Sequence, residues 1–352
     1  MSNIFFVNVK TQFQNLGDAL INRQLILLLA SRGVVYVNIS HCPADFLKWL
    51  SIDGVQSVRK VNSLEFFIKK ALFLADRKNK VSYLFNPGGY VGEISQASYI
   101  FGLTKLIFLN ILNGLGMKFY MIGFSVEALG KRAKRLLKRK SNLCEVLAVR
   151  DTSSIQVLKE IGALNFELIP DLAFGLDSLD SQPSALPNKN VSKTVCISFR
   201  EIKEKSHLIK SISKLHEVGY EISASTQVKM DKEFNSEIIE KVHGGYHKID
   251  FDGIADAVAY YSRFEYVVSN RLHVLLLAMY AGSIPIPYLE GGKNEKIRSL
   301  FKTVGIEKYV YEDSSSTPLN DFIESVSAAS DIFKMNNKKI NSFFDRRFSN
   351  VE

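Results

Sequence analysis

The chain lacks most of the residues and motifs that would identify a chemistry at once. Its three cysteines, Cys42, Cys144 and Cys196, are odd in number, far apart and without metal-ligand spacing. That excludes a disulfide framework and points to a reducing, cytoplasmic setting. No Gly-Lys-Ser/Thr follows a glycine-rich loop, no GxGxxG appears, and no GxSxG elbow or cysteine motif marks a nucleophile. MSNIFFVNVKTQF at the N-terminus has neither a basic start nor a long apolar run, so no secretory signal is expected. Long uninterrupted apolar runs are also missing. The best candidate, residues 101–124, is broken by Lys105, Asn110, Asn113 and Lys118, and its glycines suggest a helix, a turn and a strand. It reads as soluble core rather than a membrane span.

Broad basicity is absent too, although the net charge is +9. Seven of those charges sit in KRAKRLLKRK, 131–140, which contains no acid. The remainder is nearly neutral, which excludes a wide nucleic-acid footprint. Lys134, Arg135, Lys138 and Arg139 are candidates for peripheral contact with anionic lipid or a lipid-diphosphate carrier; a solvated helix face has the same composition.

What is present is an alternation. In the first half, strand-like runs at 4–9, 34–39, 81–85, 118–124 and 145–150 are separated by segments with helical spacing, such as 20–32 and 152–162. The stretch 176–193 has two prolines, four serines and little apolar periodicity; it marks a linker. Alternation then resumes with strands at 194–199, 220–225, 264–269 and 283–288, and 317–345 reads as one or two closing helices. The expected fold is α/β: two Rossmann-like doubly wound domains facing across a cleft, as in GT-B proteins. Their limits are 1–178 for an N-terminal, acceptor-side domain, 179–193 for the linker, 194–316 for a donor-side domain and 317–352 for C-terminal helices. At 352 residues, the chain is long enough for two domains.

Candidate chemistry falls at strand ends. NLGDALI places Asn15, Gly17 and Asp18 after the first strand, where Gly17 permits a tight turn and Asp18 either caps a helix or grips a sugar hydroxyl. FNPGGYVGE puts Gly88 and Gly89 after another strand, where backbone N–H groups can approach an anion. SFRE ends a strand with Arg200, whose planar fork suits carboxylate or phosphate. SNRLHVLLLAMYAG sets Asn270, Arg271 and His273 at the start of an apolar helix, whose free N–H groups and dipole add to the cationic charge. A cation in such apolar surroundings needs a partner. Two patterns are set aside: DFD at 250–252, where Asp252 reads as a helix cap, and HGGYH, whose glycines argue against a zinc helix. No metal site is expected.

In order and spacing, NLGDALI, the Pro-Gly-Gly turn, VRDTSSIQVLKEIG with PDLAF, SFRE, and NRLHVLLLAMYAGSIPIPY with Lys296 downstream resemble the polysaccharide pyruvyl transferase family over roughly 3–307. The resemblance implies transfer of the enolpyruvyl unit of phosphoenolpyruvate to a sugar of a surface polysaccharide or its lipid-linked precursor, forming a ketal, with no further cofactor. It assigns the donor to Arg200, Asn270, Arg271, Leu272, His273 and Lys296, with Arg271 and His273 catalytic. The acceptor side takes Asn15, Gly17, Asp18, Gly88, Gly89 and Asp171. Pro87-Gly88-Gly89 replaces the family's frequent three glycines, and SVEALG stands where many members carry a GPL-like segment. Two other readings fit the same residues: a GT-B glycosyltransferase holding a nucleotide sugar's diphosphate, and a non-catalytic anion- or sugar-binding protein.

Overall fold

The computed structural model describes residues 2–76, 78–176, 193–291, 294–326 and 330–349. Its contacts divide the chain into two units. The first comprises Met1–Phe13, Ile21–Gly175 and Lys338–Glu352; the second comprises Gln14–Leu20 and Leu176–Asn337.

The first unit contains β1 (Asn3–Asn8), α1 (Leu16–Ala30, whose first residues belong to the second unit), β2 (Val34–Asn38), α2 (Ala44–Leu50), β3 (Val58–Val61), α3 (Ser63–Asp76) and β4 (Lys80–Phe85). It continues with β5 (Gly88–Val91), α4 (Gln96–Gly114), β6 (Lys118–Glu127), α5 (Lys131–Ser141), β7 (Cys144–Val149), α6 (Thr152–Glu160) and β8 (Phe166–Leu168). Every pairing is parallel, in the order β3-β2-β1-β4-β6-β7-β8, with β5 also on β6. Strands covered on both faces read as continuous apolar runs, and Phe5, Phe6 and Val7 are wholly buried. One core cluster joins Phe6, Phe119 and Leu147 to Phe66 and Leu74 of α3, Leu106, Leu109 and Leu112 of α4, Leu137 of α5 and Leu158 of α6. Helices α3 to α6 therefore cover one face of this sheet.

The second unit contains β9 (Thr194–Ser198), α7 (Lys205–Glu217), β10 (Glu221–Ser225), α8 (Lys232–Lys241), β11 (His247–Lys248), α9 (Ile254–Tyr261), β12 (Tyr266–Ser269), α10 (Leu272–Tyr280), β13 (Ile284–Leu289), α11 (Glu295–Thr303), β14 (Tyr311–Glu312) and α12 (Leu319–Glu324). Its sheet order, β11-β10-β9-β12-β13-β14, is the Rossmann order, again all parallel. A last helix, α13 (Ser330–Phe348), begins in the second unit and ends in the first.

The expected fold class, two Rossmann-like doubly wound domains with closing C-terminal helices, is thus observed. Of the expected linker 179–193, only Lys193 lies among the described residues. The short strands β3, β5, β8, β11 and β14 have too few residues for a periodicity to show. Residues 101–124 do form a helix, a turn and a strand, but α4 is not the buried core expected from its composition. Leu106, Leu109 and Leu112 are buried, while Phe101 is 72% and Ile107 64% exposed.

Candidate functional site

In the second unit, β9 leads to β10 on one side while its other neighbour is β12, so the strand order reverses between β9 and β12. Open α/β sheets leave a ligand crevice beyond the carboxyl ends of strands at such a switch point. Register pairs Ser269 with Ser198, so Arg200 and Arg271 leave the sheet side by side. Asn270, nearly buried, fixes their spacing: its Oδ1 accepts the Arg200 N–H at 2.7 Å, and its Nδ2 donates to the Arg200 carbonyl at 2.9 Å. Ser269 adds a second tie, accepting from the Arg271 N–H at 2.9 Å and donating to the Ser198 carbonyl. Arg200 itself is exposed.

Arg271 occupies the N-cap of α10 with extended backbone, and its own side chain makes no capping bond. Arginine carries only donors, so its side chain cannot cap the start of α10, and a helix N-terminus is an environment suited to an anion. Its guanidinium makes a bidentate pair: Nε donates to Asp231 Oδ2 at 2.8 Å and Nη2 to Oδ1 at 2.5 Å. Asp231 is buried. Burial pushes its pKa up, while the Arg271 hydrogen bond and the charges of Arg271 and Arg200 oppose that shift. The partner demanded by a half-buried cation is therefore, in the first instance, an acid of the chain. The sequence contains no cue that singles out Asp231, which sits in a short turn after β10; only the need for a counter-charge predicted that such a residue exists.

His273, half-buried in the first turn of α10, lies against the NLGD turn. A Cβ on Gly17 would stand 2.1 Å from His273 Nδ1 and 2.5 Å from its Cγ. Glycine is required here because the imidazole occupies the space a side chain would need. The turn is fastened to this unit by an antiparallel bridge from Asn15 to Val228 and by the Leu16 N–H to the Gln227 carbonyl, 3.4 Å. Asn15 Oδ1 accepts from the Gly17 N–H at 2.9 Å, and its Nδ2 donates to Asp18 Oδ1 at 3.2 Å. The turn contact thus falls to Asn15, and Asp18 stands in the first turn of α1. The structure brings Asn15, Gly17 and Asp18 together with Arg200, Asn270, Arg271 and His273 in one unit.

The remaining residues are placed otherwise. Leu272 is buried core, and Lys296 lies half-buried in the first turn of α11. Asp171 is fully buried in the first unit, where it accepts from Arg150 Nη1 at 2.5 Å and from the Ala173 N–H at 2.9 Å. Arg150 also donates to Ser125 Oγ at 2.9 Å. The arginine of VRD and the aspartate of PDLAF thus form one buried ion pair. Gly88 and Gly89 open β5 rather than an open turn; Gly88 has φ +114°, a conformation that needs glycine. Beside them, Asn86 Nδ2 donates to the Lys10 carbonyl at 2.6 Å, and Lys140 Nζ lies 3.6 Å from the Phe85 ring centroid. Desolvation lowers the Lys140 pKa to about 8.

The two patterns set aside are also resolved. Gly253, not Asp252, is the N-cap of α9, and the Asp252 N–H donates to Asp256 Oδ2 at 2.9 Å. His247 uses both ring nitrogens, with Thr226 Oγ1 at 2.9 Å and Ser236 Oγ at 3.2 Å. Among the described residues, no group of three or more His, Cys, Asp or Glu side chains is disposed to hold a metal ion.

A family model described as polysaccharide pyruvyl transferase matches residues 15–282, from the NLGD turn to the end of α10. No curated protein matches the sequence. Among solved structures, UGT89C1 of Arabidopsis thaliana, complexed with quercetin, superposes with a TM-score of 0.55 at 11% identity, covering 99% of each chain. A glycosyltransferase of Rickettsia africae gives 0.54 at 12%, covering 99% of this chain and 94% of that one. MnaA of S. aureus, with UDP, gives 0.54 at 10%, covering 99% and 93%. At these identities the likeness is one of fold, the GT-B architecture.

Proposed function

The chain belongs to the polysaccharide pyruvyl transferase family, and on that premise we propose that it transfers the enolpyruvyl unit of phosphoenolpyruvate to a saccharide, or its lipid-linked form, as a ketal. The observation that carries this reading is the seating of the His273 imidazole against Gly17, beside the Arg271–Asp231 pair and Arg200.

Phosphoenolpyruvate presents a phosphate and a carboxylate, which call for separate cations. Arg200, exposed at the end of β9, and Arg271 at the N-terminus of α10 supply them. Asp231 takes two arms of Arg271 and so fixes the direction of the third. Protonated His273 gives its proton to the methylene carbon, which leaves oxocarbenium character on the carbon bearing oxygen. A sugar hydroxyl attacks that carbon and loses its proton. The carbon–oxygen bond to phosphate breaks, inorganic phosphate leaves carrying that hydroxyl's proton, and a neighbouring hydroxyl closes the ketal, its proton returning to His273. A histidine suits the first step because its charge state is adjustable near neutral pH.

The test is incubation with phosphoenolpyruvate and saccharide acceptors, with UDP-sugars in parallel. The proposal expects one ketal formed per phosphate released. Consumption of the UDP-sugar with phosphoenolpyruvate untouched would instead favour a glycosyltransferase. Retention of anion binding with no turnover of either donor would favour a non-catalytic protein.

A further inference from the structure

The face of the first unit built by α4 and α5 has no role in the donor site. On α4, Ile100, Phe101, Ile107, Phe108, Ile111 and Leu115, just past its end, are all exposed. At 100° per residue they fall within an arc of roughly 120°, opposite the leucines that bury the inner side. Among the described helices, α4 alone is long and apolar enough to cross a membrane. Its buried leucines instead hold it flat against the sheet, with an apolar stripe outward. Helix α3, on the same face, exposes Leu64, Phe67 and Leu72 as well. Contiguous exposed apolar surface of this kind marks a contact with another apolar phase.

The charge beside it says which phase. Helix α5 packs on α4 and carries seven basic residues and no acid. A cavity of 430 Å³ is walled by Lys134, Arg135, Lys138 and Arg139 together with Tyr99 and Ile161. An adjoining one of 530 Å³ has Leu103, Leu106, Ile107 and Leu143 on its walls, with Arg139 and Asn142. Acids touch this region at Glu160, 3.4 Å from Lys134, and at Glu93, whose carboxyl feels Arg132. Two acids do not offset seven bases. An apolar stripe bordered by a cationic cavity matches the acyl chains and phosphate headgroups of a bilayer leaflet, with Arg139 shared by both cavities.

We propose that this face docks on an anionic phospholipid membrane, with α4 lying in the interface plane and the Lys134–Arg139 cavity holding headgroup phosphate. This goes beyond the reading of α5 as a basic helix, because α4 supplies the apolar half. It is independent of the donor chemistry.

The test is sedimentation of the full chain with vesicles of phosphatidylglycerol, or of phosphatidylcholine alone. Two variants are compared: K134Q/R135Q/K138Q/R139Q, and F101S/I107S/I111S, each checked for an unchanged thermal melt. Wild type should partition to the anionic vesicles at least ~10-fold better than to neutral ones. Each variant should lose on the order of 10²-fold. F108W should blue-shift on binding and be quenched by brominated acyl chains. Turnover of a soluble saccharide should be unchanged in both multiple variants, so loss of docking and failure of the pyruvyl reading remain distinguishable. The proposal is overturned if wild type stays in solution with anionic vesicles, or if F101S/I107S/I111S binds them as well as wild type. It is also overturned if the apolar variant converts a dimer to a monomer while vesicles leave the wild type unbound, which would make the stripe an interface between copies.

Discussion

Gly17 and Asp231 show how much of the site rests on single residues far apart in the chain. A Cβ at position 17 would collide with the His273 ring, not with a flexible tip. G17A is therefore expected to displace the imidazole and lower kcat by about 10²-fold, since misplacement on the ångström scale costs that much. Circular dichroism should show the fold retained; a G17A variant with full activity would separate the turn from the chemistry. Asp231 is the buried half of its pair with Arg271. D231A strands a guanidinium in a partly dry site, and is expected to cost about 3 kcal/mol in chemical denaturation, the low end for a buried pair because Arg271 keeps some water. It should also raise KM for phosphoenolpyruvate. Gly17 is legible in the sequence as a turn glycine, and Arg271 as a cation needing a partner. Their actual partners are not legible, because both contacts are made by the tertiary fold between residues with no sequence relation.

At the scale of elements, strand ends carry the site and helix faces carry the packing. The long strands were legible because burial on both faces writes itself as continuous apolar runs. Helix α4 misleads for the same reason: composition reports that a surface is apolar, not whether protein covers it. Asp171 is the converse case, a motif aspartate whose environment only the fold reveals. D171A, which removes the carboxylate paired with the buried Arg150, is expected to cost about 3–5 kcal/mol of stability. If D171A instead leaves stability intact and abolishes acceptor use, its burial has no structural purpose. Lys140 offers a pH test on α5. Its folded pKa, near 8, lies below the unfolded value of a lysine, so the unfolded chain binds the extra proton between them. Its contribution to stability therefore rises with pH from about 8 towards 10.5. K140M should be more stable than wild type at pH 7, with the gap closing across that window; a pH-independent gap would contradict the burial assigned to the ammonium.

At the scale of the whole molecule, two parallel sheets provide two switch points, one at the ends of β1 and β4 and one at the ends of β9 and β12. The NLGD turn precedes β2 in sequence yet clusters with the second unit, so His273 and Arg271 receive a neighbour from the other end of the chain. That exchange was not readable from composition or spacing, which place NLGD after the first strand and therefore in the first domain. It gathers the NLGD turn, Arg200, Arg271 and His273 in one unit, while the other carries an apolar and basic outer face. The fold itself is shared with a protein solved with UDP, so only the site chemistry separates the readings.

The central claim is that His273 delivers the proton while the arginines hold the donor. Its most direct measurement is the rate of acceptor-dependent phosphate release from phosphoenolpyruvate by H273A against wild type, with phosphoenolpyruvate binding measured alongside by calorimetry. The account predicts a rate lower by on the order of 10²–10⁴-fold with binding largely kept. An H273A protein that releases phosphate at the wild-type rate would contradict it.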